Sequence, residues 1–397
     1  MTENKLFFVW IWCIWLLPFA SVQLLPFGIP FYPIEVLLLV ASPFLINKGI
    51  TVLFHSTVAQ KVSIFSLIFL GGTIISFWWN KETLVGLGQI KSFFFFPIMF
   101  WFLMTPLLRR YHDRKRVFWH LRLMFVWSSM YAMIYGLLNG LTYDHRLNAW
   151  FDSPNLLALF LLPGVILCSA HVLSAKTTRF QDIVSWVLIT GVFIMTQSYG
   201  AFIAAFIAVG GFLWISREYV PLKNRIFHIL CISFLLIVGG IFLIGDQGSQ
   251  KWNNLITGDE RSSLSSRMMI WRSACRMIHE SPIVGIGPGR FQEVYLEYQH
   301  FYPPYLEWAV PHPHNLFLSL WLSSGILAVS GCVWLSIFIV YSMMKIPHIK
   351  EKALMGALFL GVFISGLWDV PYFRAEFCYL IWIEIALFCG MFLKQVD

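Results

Sequence analysis

Charge is what this chain has least of. Only 12% of its 397 residues are Asp, Glu, Lys or Arg, against 58% hydrophobic, so it is neither a disordered nor a heavily solvated protein. The net charge of +8 does not point to nucleic acid, because the Lys and Arg residues fall in short segments between apolar runs and no soluble basic domain exists to carry them. No nucleic-acid partner is therefore expected. Paired cysteines are also missing. Cys13, Cys168, Cys231, Cys332, Cys378 and Cys389 lie inside apolar runs and leave Cys275 alone in a polar stretch, which excludes a disulfide framework and a zinc-type spacing. Internal repeats, heptads and low-complexity linkers are absent too.

What is present is a succession of apolar runs long enough to cross about 30 Å of hydrocarbon. They lie near residues 6–22, 31–47, 62–79, 88–108, 117–138, 154–172, 183–197, 199–215, 226–245, 315–343, 353–368 and 377–393. The fold class is an all-α polytopic membrane protein with about 12 transmembrane helices. Residues 5–22 have the outline of a signal peptide, but the spans that follow favour an uncleaved first helix. The Phe93–Phe96 run reads as lipid-facing bulk. With the N-terminus inside, the inner connections collect most of the Lys and Arg, and the short outer ones carry only Lys81, Arg146 and Arg374. The polar residues 246–314 then form one long outward, periplasmic loop containing short amphipathic helices. Residues 1–245 supply spans one to nine, and residues 315–397 supply spans ten to twelve.

Function is to be sought in that loop. Ser265 and Ser266 are plausible caps for a helix from about Arg267 to Glu280, stopped by Ser281-Pro282. Ile270, Trp271, Ala274, Met277 and Ile278 fall on one apolar face with Arg267 among them, while Arg272, Arg276 and His279 fall on the opposite face. A guanidinium on the buried side of a first helical turn calls for an anion, so Arg267 is a candidate anion ligand. Snorkelling, or pairing with Asp259 or Glu260, is the plainer alternative. The glycines of Gly285-Ile286-Gly287-Pro288-Gly289-Arg290 follow no strand and precede no Lys-Ser or Lys-Thr, so they predict a compact turn rather than a phosphate loop, with Arg290 as a second candidate cation. They also make movement after the helix plausible.

His314 stands at the entrance to the tenth span, with Asn315 as its natural N-cap. Its imidazole can take a proton from a hydroxyl near neutral pH, although an interfacial His is often structural. His312 and His314 form an H-x-H pair, but no Asp, Cys or third His follows at ligand spacing, so no metal is expected. Lys91, Arg146, Asn155, Asp369 and Arg374 all fall at outer ends of spans and could share a cavity with His314 or act as anchors. Glu35 and Glu384 are expected to make interhelical hydrogen bonds.

Taken in order, Arg146-Leu147-Asn148-Ala149-Trp150-Phe151-Asp152-Ser153-Pro154-Asn155, Arg267-Met268-Met269-Ile270-Trp271, Ser281-Pro282 with Gly285 to Phe291, His312-Pro313-His314-Asn315 and Ser324-Gly325 resemble the bacterial O-antigen ligase and polymerase superfamily. The resemblance implies glycosyl transfer at the periplasmic face of the bacterial inner (cytoplasmic) membrane, among membrane lipid. Its donor would be a glycan on undecaprenyl pyrophosphate and its acceptor a sugar hydroxyl on lipid A-core or another glycan. No nucleotide, metal or other cofactor is implied. By the same resemblance Arg267 would hold the pyrophosphate and His314 would activate or orient the acceptor, giving inverting displacement. Arg146, Asn155, Tyr199, Arg290, Lys91, Arg374 and Asn315 are the remaining candidate substrate-binding residues.

One departure stands out. Many members carry Arg where this chain has Tyr199 in Ser198-Tyr199-Gly200, and Tyr199 offers a hydrogen bond without charge. Arg146, Lys91, Arg290 or Arg374 is then expected to supply the second cation. Ligase-type transfer is favoured over a polymerase extending lipid-linked repeats. A lipid-linked glycan flippase would need a polar path through the spans. A peptidoglycan-type polymerase would depend on an outer acidic residue such as Asp259, Glu260 or Glu307.

Overall fold

The computed structural model describes residues 3–24, 31–80, 83–175, 178–220, 226, 263–302, 310–346 and 349–394. Every regular element among them is helical: α1 (Glu3–Leu16), α2 (Pro33–His55), α3 (Thr57–Trp79), α4 (Leu84–Gln89) running through a π turn (Ile90–Phe95) into α5 (Phe96–Met104), α6 (Tyr111–Asn139), α7 (Pro154–Ser174), α8 (Phe180–Met195), α9 (Tyr199–Ile215), α10 (Ser263–Glu280), α11 (Phe291–Tyr298), α12 (Leu316–Met344), α13 (Ile349–Gly366) and α14 (Ala375–Gly390).

Eleven of the twelve expected spans coincide with these helices, and the ninth, 226–245, lies outside the described residues apart from residue 226. Six segments are long and apolar enough to cross a membrane: Pro33–His55, Thr57–Trp79, Leu84–Leu108, Tyr111–Asn139, Pro154–Ser174 and Leu316–Met344. The chain is thus a multi-pass membrane protein, with a strict span count among the described residues below the expected twelve. The helix boundaries follow local chemistry. Ser56 caps α3 by accepting from Ala59 N, Ser153 caps α7 by accepting from Leu156 N ahead of Pro154, and Asn315 caps α12 by accepting from Leu318 N. Lys48 does not end α2, which continues to His55 until the Ser56 cap opens α3.

Two helices form the centre. Every residue of α14 except Ile381 is buried, and α7 is buried almost throughout, as expected for helices apolar on all sides. Helix α1 joins this core, with Trp10 fully buried and its indole N–H donating to Met104 O at 3.0 Å. The phenylalanine run also departs from expectation. Phe94 and Phe96 are core residues and Phe95 faces outward, because the π turn winds the run around the helix. Glu35 makes the expected interhelical contact, a 2.6 Å ion pair with Lys91. Glu384 is buried, and its Oε2 meets no partner among the described residues.

Helix α12 is broken at Gly325, whose φ of 72° and ψ of −179° form a positive-φ conformation open essentially to glycine alone. The turn after α10 fills the break. Ile286 N and Gly287 N both donate to Leu322 O at 2.7 and 3.2 Å, and Ile326 N donates to Ile283 O at 3.0 Å. Trp321 Nε1 reaches Pro282 O at 2.7 Å. A Cβ on Gly325 would lie 2.3 Å from Ile283 O, and one on Gly285 would lie 2.4 Å from Leu322 O, so only glycine permits this approach. The glycines permit close packing at this approach. Helix α10 is already formed at Ser263, so Ser265 and Ser266 lie within its first turn instead of capping it. Its faces are as expected: Ile270, Ala274 and Met277 are buried, and Arg272, Arg276 and His279 are exposed.

Candidate functional site

Four connections meet at one end of the bundle: residues 140–153 before α7, 196–198 before α9, 311–315 before α12 and 367–374 before α14. Each leads into a helix N-terminus, so the positive dipole ends of four helices lie at these connections. The non-glycine residues with left-handed backbone among those described are His145, Ala149, Gln197 and His314, with φ between 47° and 55°, and all four lie in these connections. Such conformations are uncommon outside glycine and persist where the surroundings hold them.

His314 is held from two sides. Its Nδ1 lies 3.4 Å from Asp369 Oδ1, and Asp369 also accepts from Val370 N at 2.9 Å. Burial alone would raise the Asp369 carboxyl, but the hydrogen bond and charge of His314, with His312 and Arg267 adding to the field, hold it below the usual carboxylate range. With Nδ1–H directed at Asp369, His314 Nε2 is left as the free basic nitrogen. Asn315, besides capping α12, donates to Leu367 O at 3.1 Å and ties the start of α12 to the Asp369 turn. Burial pushes the neighbouring His312 imidazole down to about 4, helped by His314 and Arg374, so it is neutral at neutral pH.

Arg267 reaches the same place through its helix. One turn further along α10, the Trp271 indole N–H donates to Pro313 O at 2.8 Å, immediately before His314, and its ring centroid lies 6.3 Å from that of Trp368. Trp368 in turn packs over Gly200, where a Cβ would lie 3.3 Å from the Trp368 Cβ. The Tyr199-Gly200 turn, Arg267 and His314 are thereby assembled around two indoles.

Arg146 occupies the space beside Tyr199. Its Nε donates to Thr196 O at 2.8 Å and its Nη2 to Asn155 Oδ1 at 2.6 Å, while Nη1 lies 3.6 Å from Asp144. Burial lowers the Arg146 guanidinium, and Asp144 and Tyr199 pull it back up. Arg374 lies on the rim: Nη1 donates to Asp152 at 2.6 Å, Nε to Glu376 at 2.7 Å, and its charge is felt by His312.

Residues 184–333 match the family model described as O-antigen ligase, a span running from α8 into α12 that includes Tyr199, Arg267, Arg290, His314 and Asn315. Over that span the chain is similar to the O-antigen ligase superfamily. That family is of O-antigen ligase/polymerase type, with which a membrane glycosyltransferase is consistent. No curated protein matches the chain. The family match stops short of Lys91, Arg146, Asn155, Asp369 and Arg374, so their place rests on the structure alone.

Two candidates are engaged elsewhere. Lys91 pairs with buried Glu35 and lies 4.3 Å from the Phe31 ring centroid, in an aromatic box formed with Tyr32 and Phe96. Arg290 donates to Ile286 O at 3.2 Å and lies 3.8 Å from Glu293, bracing the glycine turn. The sequence places Asp369 at an outer end, where it could share a cavity with His314 or act as an anchor. Its partnership with His314 joins residues 55 positions apart, and no spacing rule connects them.

Proposed function

We propose that the chain transfers a glycan from undecaprenyl pyrophosphate to a sugar hydroxyl at the periplasmic face of the inner membrane, as an O-antigen ligase acting on lipid A-core. The observation that carries this reading is the His314–Asp369 pair, with Arg267 acting on the same carboxylate, at the helix N-termini of this end of the bundle. The leaving group is a pyrophosphate and needs fixed positive charge, while the acceptor needs a base.

In this reading Arg267 and Arg146 hold the pyrophosphate, with Arg146 supplying the cation that Tyr199 lacks. Asn155 orients Arg146, and Tyr199 adds a hydrogen bond. His314 Nε2 takes the acceptor hydroxyl proton as that oxygen bonds to the anomeric carbon. The bond from that carbon to the pyrophosphate oxygen breaks, and configuration inverts. Asp369 is a positioning residue that fixes the tautomer and stabilises the imidazolium formed. The donor is already activated, so neither nucleotide nor metal is required.

The test uses membranes supplied with lipid-linked donor and lipid A-core. His314→Ala and Arg267→Ala are each expected to abolish transfer while the protein remains in the membrane, and full activity in either overturns the assignment. A deletion strain separates ligase from polymerase. Core without any polymer, with lipid-linked polymer accumulating, is the ligase result; single repeats left on core are the polymerase result.

A further inference from the structure

We propose that His312, His314 and Asp369 form a binding site for a divalent transition metal of the Zn2+ or Cu2+ class, and that its occupation switches off proton abstraction by His314. The second half rests on the function proposed above; the first does not. One donor atom from each of the three residues lies within 4.8 Å of the others. Tetrahedral coordination at Zn–N distances of 2.0–2.1 Å brings donors to about 3.4 Å from one another. His314 Nδ1 and Asp369 Oδ1 already stand 3.4 Å apart, so closing the site requires His312 to move by little more than an ångström.

His312 is the observation that the transfer chemistry does not absorb. Its Nδ1 is buried and meets no hydrogen-bond partner among the described residues. Its ring lies 4.7 Å from that of His314 at an interplanar angle of 75°, so the two imidazoles converge rather than stack. The intervening Pro313 carbonyl is pinned by the Trp271 indole, which fixes the spacing of the pair. Two imidazole nitrogens and one carboxylate are a borderline-soft donor set. Arg267 and Arg374 add positive charge nearby, which penalises hard ions that depend on charge attraction. The site therefore selects Zn2+ or Cu2+ over Mg2+ and Ca2+.

Coordination takes place through His314 Nδ1, the nitrogen that otherwise donates to Asp369. The displaced proton then resides on Nε2, which can no longer accept one from an incoming hydroxyl. Metal binding and base catalysis thus exclude each other at this ring.

The experiment titrates metal-free, full-length protein in lipid nanodiscs with Zn2+ by calorimetry, and with Co2+ by its visible absorption. One saturable equivalent is expected, with no comparable uptake of Mg2+ or Ca2+. His312→Ala and His312→Gln should each weaken Zn2+ binding at least about tenfold, with thermal melting of the metal-free variants showing that both are folded. Both variants should keep metal-free glycan transfer and resist inhibition by Zn2+. Absence of saturable Zn2+ binding, or binding unchanged in both His312 variants, overturns the site. Zn2+ binding that leaves wild-type transfer intact overturns the switch. Loss of all transfer in wild type would refute the proposed function while the binding stoichiometry still decides the metal site.

Discussion

Asp369→Asn isolates the role given to the carboxylate beside His314. Asparagine keeps the shape and can still accept from Val370 N, so only the charge and the preferred tautomer of His314 are removed. In the proposed transfer His314 becomes an imidazolium 3.4 Å from the carboxylate. At an effective dielectric constant of about 20, Coulomb's law gives roughly 5 kcal/mol for that pair. The His314 side chain is 31% exposed, and Arg267 competes for the same carboxylate, so about half of this is a reasonable net value. A loss of about 2–3 kcal/mol corresponds to a fall in kcat of roughly 30- to 150-fold. The assay is transfer from lipid-linked donor to core in reconstituted membranes, with KM for both substrates and the melting temperature measured alongside. The reasoning requires kcat to fall with KM and melting nearly unchanged. A variant within about threefold of wild-type kcat, or one that changes only KM, would refute the positioning role.

Arg146→Lys keeps a charge but loses the planar fork shared by Thr196 and Asn155. The KM for lipid-linked donor should rise about tenfold, in line with the loss of one charge-assisted hydrogen bond, and an unchanged KM would remove Arg146 from the donor site. Lys91→Met strands the buried Glu35 carboxylate and should cost about 3–5 kcal/mol of stability. Adding Glu35→Gln should restore most of the melting temperature, and failure to do so would mean that Lys91 supports the fold by packing rather than charge. Gly325→Ala forces a Cβ to within 2.3 Å of Ile283 O at a positive φ. It should destabilise the protein by at least about 2 kcal/mol, and normal melting would show that the break in α12 relaxes freely.

Helix content was legible in the sequence because apolar length and capping residues act locally: Ser153-Pro154 and Asn315 open their helices as their side chains dictate. The buried and exposed faces of α10 followed from periodicity for the same reason. The start of α10 was misplaced because Ser265 and Ser266 can either cap a helix or continue one. His314 and Arg267 could be singled out by placement, one at a span entrance and one on an apolar face. Asp369 as the partner of His314 depends on how α12 and α13 pack, as does the engagement of Arg146 with Asn155 and Thr196. Lys91 and Arg290 show the converse. Lys91 is a cation at an expected outer end and Arg290 one in the polar loop, and a buried glutamate and a glycine turn engage them.

The break in α12 also bears on how the molecule is assembled. Leu322 lies seven residues into α12, and its carbonyl is satisfied by amides from a turn made well before that helix leaves the ribosome. Ser76 of α3 and Asn80 just after it hold the same turn through Val284 O and Gly285 O, and Ser76 also donates to Ser323 O of α12. A helix interrupted in this way cannot settle alone in lipid, because its freed backbone groups would face hydrocarbon. Residues 281–287 must therefore dock on α3 before α12 takes its final form, so ordering of that turn is a folding step of the span that follows it.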